Sequence, residues 1–212
     1  MDIALFGASG RSGRLVLERL VARGDRVRAL VRDPGKLAAR PGLDVVAGDA
    51  RDAAAVRRTV EGTDAIVCCL GMHDITVPAS DFSDAVRTIV GAAKDCGVAR
   101  LVAIASAGVL DDARGGLRNE HGLPALLANV AAEHTRNLRT LQASGLAWTL
   151  MCPIDLVDAP GGRARWAFDD LPEGPHTGYA DLADAIVAML GRADAHGRRV
   201  GVVSAAADAA PR

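Results

Sequence analysis

The stretch that decides the fold is IALFGASGRSG, residues 3–13. It opens with an apolar run, which predicts a short buried strand. A helix is predicted directly after the stretch by apolar residues at helical spacing: Leu15, Val16, Leu17 and Leu20. Between strand and helix, Gly7 can take a tight turn, Gly10 leaves the backbone open to a ligand, and Gly13 lets the helix lie close to the sheet.

This glycine turn stands in the context that a dinucleotide-binding fingerprint requires. The N-terminus of the following helix offers unpaired N–H groups and a partial positive charge to phosphate groups. The spacing is G-x-x-G-x-x-G, and a tight turn that binds nothing is the alternative. We expect a bound cofactor to contact the turn and the start of the helix, at Gly7, Ser9, Gly10, Arg11, Ser12 and Gly13.

Strand and helix patterns alternate along the chain. Strands are predicted over 2–6, 26–31, 44–47, 64–70, 100–105, 146–151 and 199–203, and helices over about 12–23, 51–61, 81–96, 122–144 and 180–191. This order predicts an α/β fold, a Rossmann-like doubly wound parallel sheet with helices on both faces. We expect one domain over 1–203, with a substrate loop at about 153–178 and a flexible tail over 204–212.

Composition excludes several classes of protein. Of the 212 residues, 50% are hydrophobic but only 3% aromatic, which suits a core of small aliphatic side chains between a sheet and its helices. A net charge of −1 gives no reason to expect nucleic acid or an anionic membrane as a partner. The four cysteines form no metal-binding pattern, and no apolar run could span a membrane. We therefore expect a cytoplasmic protein with no metal, either a monomer or a homodimer.

The end of the second strand indicates which dinucleotide is bound. A site for NAD places an acid there to bind the ribose 2′-hydroxyl, whereas this chain has Arg32, whose charge and forked donors suit a 2′-phosphate. Lys36 could add a second positive charge. Asp33 could instead serve a 2′-hydroxyl, but Asp33-Pro34-Gly35 is typical of a turn. The pattern favours NADP(H), with a solvated Arg32 as the alternative.

The ends of the next strands provide further cofactor contacts. Asp49 could accept a hydrogen bond from the adenine amino group beside Ala50, or could cap the next helix. Leu70 and Gly71 would let the chain pass close to the cofactor ribose. His73, on the same loop, could touch cofactor or substrate, or could simply be exposed.

Ser106 follows the fifth strand and would face the nicotinamide. Its hydroxyl could bind the carboxamide or the substrate, or could cap the end of the strand. The common short-chain dehydrogenases use a tyrosine with a lysine four residues later. This chain has one tyrosine, Tyr179, and no lysine after Lys94, so that acid is absent and water or another group must supply the proton.

The chain resembles the atypical short-chain dehydrogenase/reductase group, in particular the NADPH-dependent flavin reductase and biliverdin reductase B type, with the NmrA-like group as wider kin. The resemblance rests on these segments: 5–10, 30–33, 46–49, 70–71, 102–106, Glu133-His134-Thr135-Arg136 and 144–146. It implies a cofactor lined by Gly7, Ser9, Gly10, Ser12, Arg32, Asp49, Leu70, Gly71, Ser106 and Pro153. We expect Ile154, which follows Pro153, to contact the cofactor as well. The flavin reductase type has a histidine where this chain has Ile154, which argues against tetrapyrrole reduction.

Three functions follow as hypotheses. The first is an NADPH-dependent reductase that transfers hydride to a planar acceptor such as a flavin or quinone, with Ser106 as its one polar catalytic residue and Phe82, Trp166 and Phe168 as candidate walls of the substrate pocket. The second is an NmrA-like protein that binds NADP(H) and senses redox state without turnover. The third is an epimerase or dehydratase acting on a nucleotide sugar. His134 is expected to be a partly buried histidine with its hydrogen bonds satisfied.

Overall fold

The computed structural model describes residues 1–72, 74–162 and 164–205. Its strands are β1 Asp2–Phe6, β2 Arg26–Val31, β3 Leu43–Ala47, β4 Ala65–Cys68, β5 Arg100–Ile104, β6 Ala147–Pro153, β7 Leu156–Val157, β8 Ala164–Phe168, β9 Thr177–Gly178 and β10 Arg198–Ser204. Its α-helices are α1 Arg11–Ala22, α2 Ala53–Val60, α3 Asp81–Asp95, α4 Ala128–Gln142 and α5 Tyr179–Met189. Each predicted strand and helix is present; β1 and β2 have the predicted bounds, and the other elements differ at one or both ends.

The main sheet has the order β3-β2-β1-β4-β5-β6-β10-β8. Neighbouring strands from β3 to β10 pair in parallel, and β8 closes the sheet in the antiparallel sense. The chain runs outward from β1 to β3 and then returns to add β4 on the other side of β1. Such a reversal opens a crevice at the carboxyl ends of β1 and β4, where doubly wound folds bind ligands. The predicted fold class is confirmed.

The helices cover both faces of the sheet. On one face α2, α3 and α4 bury apolar side chains such as Val56, Ile89 and Leu141. On the other, α1 and α5 pack together and bury Leu17 and Ile186. Aliphatic side chains dominate both layers, as the scarcity of aromatic residues predicts.

Two predicted segments differ from the structure. The helix predicted from residue 122 begins only at Ala128, because Gly122 adopts a left-handed φ of 72° and Pro124 interrupts the backbone hydrogen bonding before it. The segment 153–178 is not simply a loop, since it contains β7, β8 and β9.

Ser204, expected in the tail, closes β10. The tail residues from 206 onward lie outside the described residues, as does His73. Over the residues that the structure does describe, none of the helices has the length and apolar character needed to cross a membrane.

Candidate cofactor site

A cleft with a volume of about 440 Å³ lies at the carboxyl ends of β1 to β4. Half of the predicted cofactor residues line it: Gly7, Ser9, Gly10, Arg32, Asp49, Ala50, Leu70 and Gly71. These residues come from four separate strand ends, which only the sheet topology brings together. The cleft is also lined by residues that the sequence did not single out, namely Arg51, Met72, Asp74, Val77 and Asp81.

The glycine turn is too tightly packed to carry side chains at two of its positions. Gly7 adopts a φ of 82°, and a Cβ there would lie 2.6 Å from the carbonyl oxygen of Cys69. A Cβ on Gly13 would lie 2.0 Å from the carbonyl oxygen of Gly7. The turn therefore touches both the end of β4 and the first turn of α1, which confirms the packing roles predicted for these glycines.

The N-terminus of α1 is open to an anion. Its first residue is preceded by Gly10, no side chain caps it, and its first turn carries no acid. Backbone N–H groups of a first helical turn have no partner within the helix. These unfilled donors beside the glycine turn form the site where a pyrophosphate would bind.

Arg11, Ser12 and Gly13 belong to that first turn but are not among the residues lining the cleft. The guanidinium of Arg11 lies instead over the ring of Tyr179 at the start of α5, with its central carbon 4.6 Å from the ring centroid. Tyr179 is buried and does not line the cleft.

Arg32 lies exposed at the cleft edge, directly after β2. Among the described residues its side chain has no hydrogen bond or ion pair, so its donors are available. Asp33 accepts a hydrogen bond from the backbone N–H of Gly35 at 3.0 Å, which is the turn role predicted for it. The exposed Lys36 does not line the cleft, so its contribution of a second charge stays a prediction.

Asp49 and Arg51 are bound to each other at the end of β3. The Asp49 carboxylate accepts from the backbone N–H of Arg51 at 2.8 Å, from Nε at 3.0 Å and from Nη2 at 3.0 Å. The Arg51 guanidinium lowers the pKa of Asp49 to about 2, with the charge of Arg32 a smaller contribution. The alternative that Asp49 caps α2 is wrong, because Asp52 caps that helix through the N–H of Ala54.

One wall of the cleft is the first turn of α3, which α4 holds in place. Glu133 on α4 is fully buried and accepts from the backbone N–H and the hydroxyl of Ser83, both at 2.8 Å. Arg136 donates to Glu133 through Nε at 2.8 Å and to the carbonyl of Ala79 at 3.0 Å. Glu133 thus caps α3 from a different helix and fixes the wall formed by Asp81 and Phe82.

The expected nicotinamide end lies beyond β4, where Ser106 follows β5 and Pro153 ends β6. These neighbouring strands are held together at this edge by a hydrogen bond from Ala105 N–H to the Met151 carbonyl at 2.7 Å. Ile154 donates its backbone N–H to the Thr177 hydroxyl at 3.1 Å. None of Ser106, Pro153 and Ile154 lines the cleft, so their contact with a cofactor stays a prediction.

Comparison with known proteins decides the family. A sequence profile described as NAD(P)H-binding matches residues 7–193. The chain belongs to this NAD(P)H-binding family. The match begins at Gly7, directly after β1, and covers the other three strands of the cleft.

Two curated relatives resemble this NAD(P)H-binding protein over much of its length. YwnB of Bacillus subtilis is 26% identical over 220 residues, covering 97% of this chain and 100% of YwnB. The (4-alkanoyl-5-oxo-2,5-dihydrofuran-3-yl)methyl phosphate reductase of Streptomyces griseus is 29% identical over 199 residues, covering 89% of this chain and 63% of that one.

A solved structure from Streptococcus pneumoniae, described as a proposed NADH-flavin reductase, shares the fold. It superposes with a TM-score of 0.82 at 21% identity, covering 96% of this chain and 99% of the other. The sequence profile confirms the NAD(P)H-binding family that the resemblance implied, and this neighbour confirms the fold.

Other side chains of this NAD(P)H-binding protein were predicted less well. His134 is buried with its ring edge against Phe82 at 5.5 Å, but its Nδ1 has no hydrogen-bond partner within the described residues. The prediction of a satisfied histidine is therefore wrong, and burial lowers its pKa to about 4. Of the three candidate aromatic walls, only Phe82 lines the cleft, since Trp166 and Phe168 lie on β8 and pack against Arg192.

Proposed function

We propose that this chain is an NADPH-dependent reductase that transfers hydride to a planar acceptor, a flavin or a quinone. The observation that carries the proposal is the guanidinium of Arg32, exposed at the ribose end of a dinucleotide-type cleft and without a partner among the described residues. A charged, forked donor at this strand end suits a 2′-phosphate, whereas a 2′-hydroxyl calls for an acid.

The residues present fit a dinucleotide. Gly7 and Gly13 leave no room for side chains, so the turn packs tightly beside the N-terminus of α1, where a pyrophosphate would bind. The uncapped N-terminus of α1 supplies N–H donors to the same group. Leu70 and Gly71 form a low wall beside the ribose position at the end of β4.

NADPH, when bound, supplies the hydride. The protein contributes orientation, and we expect the hydroxyl of Ser106 after β5 and the apolar Ile154 after β6 to lie beside the nicotinamide. Holding two planar rings in contact removes much of the entropic barrier to the transfer. Water or another group supplies the proton, because Tyr179 is buried beneath Arg11 and does not line the cleft.

Two similar proteins support a reductase. The relative from Streptomyces is named a reductase of a phosphorylated dihydrofuran, and the Streptococcus neighbour is described with flavin as its acceptor. A ring-shaped, conjugated acceptor is common to both descriptions.

The test is oxidation of NADPH followed by nicotinamide absorbance, with FMN, riboflavin and a simple quinone as acceptors. We expect turnover with at least one acceptor and a slower reaction with NADH. Ser106→Ala is expected to reduce kcat by about tenfold to a hundredfold if the hydroxyl orients the reacting rings. Binding of NADPH without turnover on any acceptor would contradict the enzyme and favour the redox sensor instead.

A further inference from the structure

Arg51 links the two walls of the cleft. It follows β3 on one wall, and its Nη1 donates to the carboxylate of Asp81 on the first turn of α3, on the other wall, at 2.8 Å. Its Nε and Nη2 are held by Asp49, so all three nitrogens of the guanidinium are engaged. With both contacts closed, the plane of this group is held at the cleft, and the side chain is still 48% exposed.

The two arginines at this end of the cleft differ in charge balance. Arg51 is paired with two carboxylates, which more than neutralise it and make it a poor site for a phosphate dianion. Arg32 makes no hydrogen bond or ion pair with another described residue, although its charge also acts on Asp49. A 2′-phosphate therefore goes to Arg32, and Arg51 must serve the nucleotide in another way if it serves it at all.

We propose that Arg51 is an adenine clamp, whose guanidinium face stacks on the adenine ring. A planar guanidinium stacks well on aromatic faces, and stacking uses the face of the group and leaves its in-plane donors on Asp49 and Asp81. The inference rests on the proposed NADPH site and assigns its base-binding residue.

The same contacts explain how the clamp could admit the nucleotide. The ion pair with Asp81 is exposed on both sides, and such pairs contribute little to stability. It can open without cost to the fold, whereas the bidentate contact with Asp49 keeps Arg51 close to the strand end. Closing again on Asp81 would bring the guanidinium over the bound base.

The test is calorimetric titration of the full-length protein with two fragments, 5′-AMP and adenosine 2′,5′-bisphosphate. Arg51→Lys keeps the charge and removes the plane, and Arg51→Leu removes both. We expect each variant to weaken both fragments equally, by about tenfold. Arg139→Lys and Arg139→Leu, at an exposed position of α4 away from the cleft, are the matched controls and should bind as the wild type does.

The possible results distinguish a failure of the adenine clamp from a failure of the proposed NADPH site. Wild-type affinity in Arg51→Lys would show that charge suffices and would overturn the clamp. A loss confined to the 2′-phosphorylated fragment would also overturn it, since Arg51 would then be a phosphate ligand. If the wild type binds both fragments and neither Arg51 variant changes the affinity, only the clamp fails. If the wild type binds neither fragment nor NADPH, the proposed function fails with it.

Discussion

At the scale of single residues, the glycine turn could be predicted from the sequence because the contacts that require its glycines are local. Gly7 and Gly13 are required by contacts within the first βα unit and with the end of the adjacent β4, and a glycine triplet between a strand and a helix predicts such contacts. The place of Arg32 at the cleft could be predicted for the same reason, because it depends only on where β2 ends. Arg51 was missed because its role depends on Asp81, which the fold brings to it from a later helix.

His134 gives a pH dependence that can be measured. Burial holds its pKa at about 4 in the folded protein, against 6.5 when unfolded. The unfolded chain therefore binds an extra proton between these values, and stability present above pH 6.5 is lost as the pH falls towards 4. The loss attributable to this residue is at most about 3 kcal/mol.

Chemical unfolding of the wild type and of His134→Phe at pH 4.5 and 7 measures this effect. The stability of the variant should depend less steeply on pH. His196→Gln, at an exposed histidine, is the control and should keep the wild-type slope. Equal slopes in all three proteins would show that His134 does not titrate as burial predicts.

At the scale of elements, the start of α3 depends on a carboxylate from α4. The sequence could predict both helices, but not that Glu133 accepts from Ser83, since this contact joins residues fifty positions apart. Ser80, which precedes the helix, makes no capping hydrogen bond with its side chain to the helix. A buried cap of this kind depends on tertiary contacts. The sequence pointed to Glu133 only because it belongs to one of the segments on which the family resemblance rests.

Glu133→Gln should therefore affect both stability and binding. Replacing the buried carboxylate weakens its hydrogen bonds to Ser83 and Arg136 and should cost about 1–3 kcal/mol in the free energy of unfolding. The loosened first turn of α3 should also weaken NADPH binding. Glu61→Gln is the matched control, because Glu61 is 63% exposed and pairs with Arg57 one turn away. A variant as stable as this control would contradict the capping role.

The strand β8 shows the other limit of sequence reasoning at this scale. Trp166 and Phe168 alternate as in a strand, but the segment lies between stretches rich in proline and glycine, which are typical of loops. Its partner in the sheet is β10, to which it is antiparallel and which follows it in the chain only after β9 and α5. No local pattern in the sequence indicates that β8 pairs with β10 at the edge of the sheet.

At the scale of the whole molecule, the alternation of strands and helices was enough to predict the fold class. It did not specify the strand order, which arises from the return of the chain to the far side of β1. That return places β1, β2, β3 and β4 side by side and creates the cleft in which half of the predicted cofactor residues meet. The family match indicates a nicotinamide dinucleotide as the cofactor, and the cleft suits one. The preference for NADPH over NADH is our proposal.

The most direct test of that claim is a comparison of NADPH and NADH affinities in the wild type and in Arg32→Glu, with Arg139→Glu as the control for an equal change of charge. We predict that the wild type binds NADPH more tightly than NADH, and that Arg32→Glu loses at least about 2 kcal/mol of binding free energy for NADPH with little change for NADH. Arg139→Glu should behave as the wild type. Equal affinity of wild type and Arg32→Glu for NADPH would contradict the assignment of Arg32 and the NADPH preference built on it.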